Sequence, residues 1–423
     1  MNAFGRKGMI APIDIKKTRQ QLGLSQQKAA ASINVSLVAW QQWESGKRKI
    51  REAFWELFLI KNNLNNLDVT LKNIHKEYSQ KDIRNKQKEL SLITHHKEII
   101  QNKKYTFIDL FAGIGGIRQA FSNNNCGCVF SSEIDPFAQF TYYTNFGVVP
   151  FGDIIKIESK NIPEHDILCA GFPCQPFSNI GKREGFLHPT QGTMFHEVLR
   201  IITDKKPKAI FLENVQGILS HDNGNTLKII FNELKKINYK CQYTVINAKD
   251  YGVPQSRSRF YLVGFLNNVE FNFPNPPMIH ADIGNYIESD ISGYSISEYL
   301  QKSYLFKKEE GRPAIVDKNS KGSIKTLVST YHKIQRLTGT FVKGGNTGLR
   351  LLSENECKSI MGFPTDYIIP VSRTQMYRQM GNSVVIPVIE SIAKEMVRSL
   401  TYVYREKDNA SSLQSDRERQ RIV

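Results

Sequence analysis

Nowhere in the 423 residues do about 18 or more uncharged apolar residues follow one another, so no membrane-spanning helix is expected. The opening stretch MNAFGRKGMIAP also lacks an apolar segment of signal-peptide length, and a cytoplasmic location is the expectation. Cysteine is sparse. The six residues, Cys126, Cys128, Cys169, Cys174, Cys241 and Cys357, form no CxxC pair and no Cys/His grouping at zinc-site spacing, so neither structural disulfides nor a structural metal is expected.

Positive charge is abundant. The net charge is +17, from 57 basic and 40 acidic side chains. Residues 1–104 hold 20 basic against 9 acidic residues, and residues 311–350 hold 8 against 1. Two separated basic regions suit a polyanion held at two places, because neutralising phosphates and releasing their counterions supplies most non-specific nucleic-acid affinity. Solubility alone would also explain them.

The chain reads as several parts. From Ile13 to about Lys49 come short helical stretches, IDIKKTRQQLG, LSQQKAAASIN and SLVAWQQWESGKRKI, with Ser25 and Ser36 as N-caps and Gly23 at a helix C-terminus. Helix, short turn at Asn34 and Val35, then helix resembles the helix-turn-helix of Cro and phage repressors. That likeness would turn the segment Ser36 to Glu44 to the major groove and set Lys47, Arg48 and Lys49 near phosphates. Trp40, Trp43 and Trp55 also fit a small helical core. The expected division is a helix-turn-helix domain at 1–61, a polar helical linker at 62–104, a catalytic domain at 105–267 and 351–403, a smaller loop-rich domain at 268–350, and a disordered tail at 404–423.

At Tyr105 the pattern changes. YTFIDLF, CVFSSEI, HDILCAGF, KAIFLENV and RFYLVGF alternate with amphipathic stretches, which predicts an open α/β sheet. TFIDL runs into FAGIGGIR, so Gly113, Gly115 and Gly116 fall in the turn before a helix, where backbone can approach a ligand closely. A dinucleotide fingerprint would need glycine at 118, and Arg118 stands there. Glu133 at the end of the second strand can accept from two ribose hydroxyls, and Asp153, read as following a third strand in PFGDI, can meet an adenine amine. A glycine turn followed by two acids after successive strands is the order of an S-adenosylmethionine site, although each acid alone is more often a cap or a surface residue.

GFPCQPFS places Cys174 after the strand ILCAGF, between Pro173 and Pro176. A thiolate there could add to C6 of cytosine and turn C5 into an enamine carbon able to accept a methyl group. That addition pushes charge onto N3, and Glu213, ending AIFLENV, could protonate it with a pKa raised by burial. Arg257 and Arg259 in PQSRSRF are candidates to bind the cytosine O2 and hold that carboxylate.

FIDLFAGIGG, GFPCQPFS, LENV, PQSRSRF, RLLSENECKSIMGFP and QMYRQMGNSVV follow one another in the order of the C5-cytosine DNA methyltransferases, and the likeness spans residues 105–400. The chain also resembles the MspI-type branch of that family, from the N-terminal helices through TLVSTYHKIQRLTGTFV. The resemblance implies a Rossmann-like S-adenosylmethionine-dependent sheet with Cys174 as nucleophile, Glu213 as partner of N3, and Arg257 and Arg259 as the base-binding pair. It places Phe111, Gly113, Glu133, Ile134, Asp153, Ile154, Pro173 and Asn382 around the cofactor. Gln175 and Ser178 would lie beside the extruded nucleotide. Asn382, far along the chain from the glycine turn, would have to fold back beside the first strand. Region 268–350 becomes the target-recognition domain, with Thr326, Leu327, Lys333, Gln335 and Arg336 toward DNA. Double-stranded DNA bound by a monomer, a cognate restriction endonuclease, and CCGG with the outer cytosine modified are further implications. Action on RNA, and a transcription regulator with secondary methylation, stay open.

Overall fold

The computed structural model describes residues 12–33, 35–50, 54, 55, 58, 102–173, 194–289 and 291–420. Cys174, Gln175, Ser178 and nearly all of the expected linker lie outside the described residues. The chain divides into two compact units, residues 1–97 with 134–150 and 368–372, and residues 98–133 with 151–367 and 373–423.

In the first unit, α1 (Pro12–Gln21), α2 (Gln26–Ser32) and α3 (Leu37–Glu44) are separated by short turns. The Ser25 and Ser36 hydroxyls accept from the amides of Lys28 and Ala39, so both expected N-caps are present. The tryptophans take the core role: Trp40 and Trp43 are buried with Ile15, Ala29, Ala30, Ile33, Ile50 and Phe58. The Glu44 carboxylate joins the three helices, accepting from Arg19 of α1, Gln26 of α2 and the indole of Trp40.

The second unit is built on a six-stranded sheet. In chain order its elements are β1 (Tyr105–Leu110), α4 (Gly116–Asn123), β2 (Cys126–Ser132), β3 (Ile167–Gly171), α5 (Met194–Lys205), β4 (Ala209–Val215), α6 (Asn225–Lys236), β5 (Lys240–Asn247) and β6 (Ser258–Phe265). The strand order is β2-β1-β3-β4-β6-β5, with β6 antiparallel to both neighbours and the first four strands parallel. Continuous apolar strands follow from cover on both faces. Ile108 and Leu110 of β1 enter one core with Leu168, Leu212, Val198 and Ile202, while on the other face Phe107 packs at a tilt on Phe121, which meets Phe211. The chain leaves β1 toward β2 on one side, and β3 pairs on the other. The end of β1 is therefore the topological switch point, where the diverging loops of an open α/β sheet leave a crevice.

Two sequence expectations change here. PFGDI forms no strand: Phe151 makes a single parallel bridge to Ser132, because Pro150 and Gly152 interrupt any ladder. The expected disordered tail continues instead as helix, part of α9 (Ile386–Gln420), whose stretch DNASSLQSDRERQ contains neither Pro nor Gly. Before α9 come α7 (Glu354–Met361), with a Ser353/Glu356 capping box, and α8 (Arg373–Asn382).

Region 268–350 is mostly irregular, with a small sheet of β7 (Ala314–Val316), β8 (Thr340–Lys343) and β9 (Leu349–Arg350). Arg350 and Glu356 are fully buried and joined by two hydrogen bonds, and Glu356 also accepts from the Glu288 amide. A bidentate pair with its remaining lone pairs satisfied is the form in which a buried ion pair is tolerated.

Candidate active site

The glycine turn at the end of β1 is assembled from backbone. Phe111 adopts φ 57°, a left-handed conformation costly for a bulky side chain, and Gly113 and Gly115 follow at φ 55° and 84°. The Gly113 amide donates to the Glu133 carboxylate at 2.8 Å, and the Ala112 amide to the Ser132 carbonyl, so the end of β2 holds the turn. Gly116 has no room for a side chain: a Cβ there would lie 2.7 Å from Val384 Cγ2 and 3.1 Å from Ser383 Oγ. The segment following α8 thus packs on the turn through Ser383 and Val384, the two residues after Asn382. Asn382 ends α8 and is exposed. Tyr367 braces the turn from below, its hydroxyl donating to the Ile114 carbonyl.

The remaining expected cofactor residues divide. Asp153 caps the short helix 154–156 through the Ile155 amide, and Ile154 is buried in the sheet core. Ile134 and Pro173 are exposed. The donors and acceptors at this crevice suit an adenosylated amino acid. Glu133 offers carboxylate oxygens at a strand end, Asp153 follows the bridge beside it, and the glycine backbone leaves the turn open on the side away from Val384.

Two strands along, a second group meets the same edge. Glu213 pairs in register with Gly171 of β3 and Tyr261 of β6, and Val215 pairs with Arg259. Side chains alternate across a sheet, so Glu213 and Arg259 fall on one face as diagonal neighbours. Arg259 Nε approaches Glu213 Oε1 to 3.3 Å, with both side chains mostly buried. A Cβ on Gly171 would lie 3.6 Å from Glu213 Oε2, an ordinary contact distance, so the carboxyl lies directly beside the end of β3. Burial pushes the Glu213 carboxyl above the usual carboxylate range, and the Arg259 and then the Arg257 cations pull it back. The Asn214 amide donates to the Phe172 carbonyl, tying the end of β4 to the exit of β3 at Pro173, the residue before Cys174.

Arg257 and Arg259 look alike in sequence and differ in the structure. The Arg257 guanidinium is 3% exposed and donates to the carbonyls of Leu327, Gly381 and Ser383. Sequence reasoning missed Gln255, two residues earlier and fully buried, which accepts from the Leu327 amide and donates to the Ile360 carbonyl. A glutamine inside a proline- and arginine-rich loop gave no sign that it would be a buried knot.

Of the expected DNA-reading residues, Lys333 is exposed and Gln335 half-buried, while Thr326 donates its hydroxyl to the Ser256 carbonyl. Leu327 is buried. The Arg336 guanidinium is taken up by the carbonyls of Leu305, Lys308 and Glu310, so its fork organises the 305–310 loop. A planar five-donor group closes a carbonyl-rich loop as readily as it reads a base.

The comparisons agree with this geometry. Residues 105–398 match the model of the C-5 cytosine-specific DNA methylases. The chain is 59% identical to the type II methyltransferase M.MspI of Moraxella sp., covering 93% of this chain and 97% of that protein. It is 54% identical to M.BsuFI of Bacillus subtilis over 70% and 73% of the two chains. Among solved structures, the Entamoeba histolytica methyltransferase EhMeth matches with TM-score 0.59 and 26% identity, over 70% of this chain and 99% of that one. The S. pombe Dnmt2 methyltransferase, with TM-score 0.58 and 22% identity over 70% and 99%, shares the fold. A glycine turn at the switch point, a carboxyl held by an arginine at the same sheet edge, and a family match over the whole sheet lead to one assignment: this chain belongs to the C-5 cytosine-specific DNA methylases, enzymes that use S-adenosylmethionine.

Proposed function

We propose that the chain is the modification enzyme of a type II restriction-modification system, methylating the outer cytosine of CCGG in double-stranded DNA. The observation that carries this reading is the Glu213–Arg259 pair at the sheet edge that holds the glycine turn, with β3 ending at the same edge three residues before Cys174. A cytosine in a duplex keeps C6 out of reach, so the target base is extruded into this crevice. The Cys174 thiolate then adds to C6. Glu213, its pKa raised by burial, gives its proton to N3 and takes up the charge that the addition creates. Arg259 fixes the carboxyl and compensates it once ionised. S-adenosylmethionine, held by the 111–116 turn, Glu133, Asp153 and Asn382, supplies the methyl group for C5. Loss of the C5 proton to solvent water, expulsion of the thiolate from C6 and return of the N3 proton to the Glu213 carboxylate then restore the aromatic ring and the starting enzyme.

Thr326, Lys333 and Gln335 face DNA in this reading, with Gln175 and Ser178 beside the extruded nucleotide. Leu327 and Arg336 shape the recognition region from within. The first unit adds a second DNA-binding surface: α3 exposes Leu37, Val38 and Gln41, and Lys47, Arg48 and Lys49 follow it, all exposed. Its role is regulation of the modification gene or added affinity. Bisulfite sequencing of plasmid DNA from an expressing strain should show the outer cytosine of every CCGG protected. Protection at another site, or methyl transfer to transfer RNA alone, would overturn the assignment.

A further inference from the structure

Between the cofactor turn and the recognition region runs a four-residue segment, Gly381–Asn382–Ser383–Val384, packed tightly on both sides. A Cβ on Gly381 would lie 2.1 Å from the Ser329 amide nitrogen and 2.2 Å from the Val328 carbonyl carbon, so the backbone after Thr326 and Leu327 rests directly on it. On the opposite side Ser383 and Val384 leave no space for a Cβ on Gly116. Neither gap can be filled by a side chain, so movement of one layer is felt by the next. Arg257 spans this stack: it donates to the carbonyls of Gly381 and Ser383, either side of Asn382, and to that of Leu327. Those carbonyls lie on segments 54 or more residues apart in sequence, and no other described side chain donates to all three.

We infer that Arg257 is a positioning residue that fixes the 381–384 segment between the cofactor turn and the Thr326–Leu327 element, and does not itself contact the cytosine. The guanidinium suits this task because its fork presents several N–H groups in one plane, which a lysine cannot reproduce. Arg259, on the face of the sheet that carries Glu213, remains the arginine of the reacting centre. The inference rests on the reading of Asn382 and the 111–116 turn as the cofactor site.

It separates from a base-contacting role by where the loss falls. Removing a base contact lowers kcat and leaves cofactor affinity of the DNA-free protein intact. Removing the clamp loosens Asn382 and the recognition element together. The Arg257→Gln variant should weaken S-adenosylmethionine binding to the DNA-free protein, measured by calorimetry, by about tenfold to a hundredfold, the loss expected for one or two hydrogen bonds from a charged donor. KM for duplex DNA should rise with it, and kcat should fall by less than either. Arg257→Lys, which keeps the charge without the fork, should lie between wild type and Arg257→Gln, and it carries the test if the glutamine variant does not fold. Gly381→Ala, on the far side of the clamp, should show the same paired loss. Unchanged cofactor affinity in the Arg257 variants beside a large fall in kcat would overturn the inference. Asn382→Ala distinguishes the two levels: if it binds cofactor as wild type does, the site reading fails and takes the inference with it. If Asn382→Ala weakens binding while the Arg257 variants do not, the inference alone fails.

Discussion

Arg259 Nε stands 3.3 Å from Glu213 Oε1, a diagonal pair across the antiparallel β4–β6 ladder at the end where the chain turns toward Cys174. The pair sets opposing pulls on one carboxyl, burial raising its pKa and the cation lowering it. In the proposed mechanism the protonated form acts at N3, so activity should be retained below this pKa and lost as pH rises through it. The need for a Cys174 thiolate has the opposite sign, so kcat/KM should be bell-shaped in pH. Glu213→Gln can still donate to N3 but cannot deliver a proton; it should lower kcat by about 10²–10⁴ and abolish the descending limb. Arg259→Ala removes the largest influence lowering this pKa and should move the descending limb to higher pH. A limb that stays in place in both variants would detach the pair from the chemistry.

Gly116→Ala places a methyl 2.7 Å from Val384 Cγ2, inside the contact between the turn and the Ser383–Val384 segment that follows Asn382. Overpacking of this kind costs about 1–3 kcal/mol. Thermal unfolding should report that loss, and KM for S-adenosylmethionine should rise. An unchanged KM would mean that the turn and Asn382 do not share the ligand.

Asp109, fully buried on β1 close to Arg118, has its pKa raised to about 8, chiefly by desolvation, with the Arg118 cation opposing. A carboxyl raised from its unfolded value near 3.9 stabilises the protein fully below that value, and the contribution is lost as pH rises through about 8. Asp109→Asn should remove this dependence, so its stability relative to wild type should increase between pH 5 and 9 in urea titrations, a range around that pKa of roughly 8. Parallel curves for the two proteins would contradict it.

All three tryptophans, Trp40, Trp43 and Trp55, belong to the first unit, so their fluorescence reports on it alone. Glu44→Ala strips the acceptor from Arg19, Gln26 and the Trp40 indole. Each buried donor left unsatisfied costs about 1–3 kcal/mol. The fluorescence transition should move to clearly lower urea while methylation of duplex DNA continues at saturating DNA; a coincident loss of methylation would show that the two units unfold as one.

The sheet was legible in the sequence because both of its faces are covered, leaving short apolar runs such as IDLF and IFLENV that only a buried strand explains. The caps at Ser25 and Ser36 were legible for a local reason, since an N-cap depends on its own turn. FGDI misled, because an apolar residue before an acid resembles a strand end while Pro150 and Gly152 allow one bridge only. From the sequence, Arg257, Leu327 and Arg336 are expected to face substrate. They have hydrogen-bond partners 124, 72 and 31 residues away in the chain, and spacing carries no information about which carbonyls a guanidinium will find.

The most direct test concerns Cys174 itself. Duplex DNA bearing 5-fluorocytosine at the outer position of CCGG, incubated with the enzyme and S-adenosylmethionine, keeps the adduct because fluorine at C5 cannot leave as a proton does. Denaturing electrophoresis should show an equimolar covalent protein–DNA complex with the wild type and none with Cys174→Ala, which should still bind the duplex. A covalent complex formed equally well without the Cys174 thiol would contradict the account.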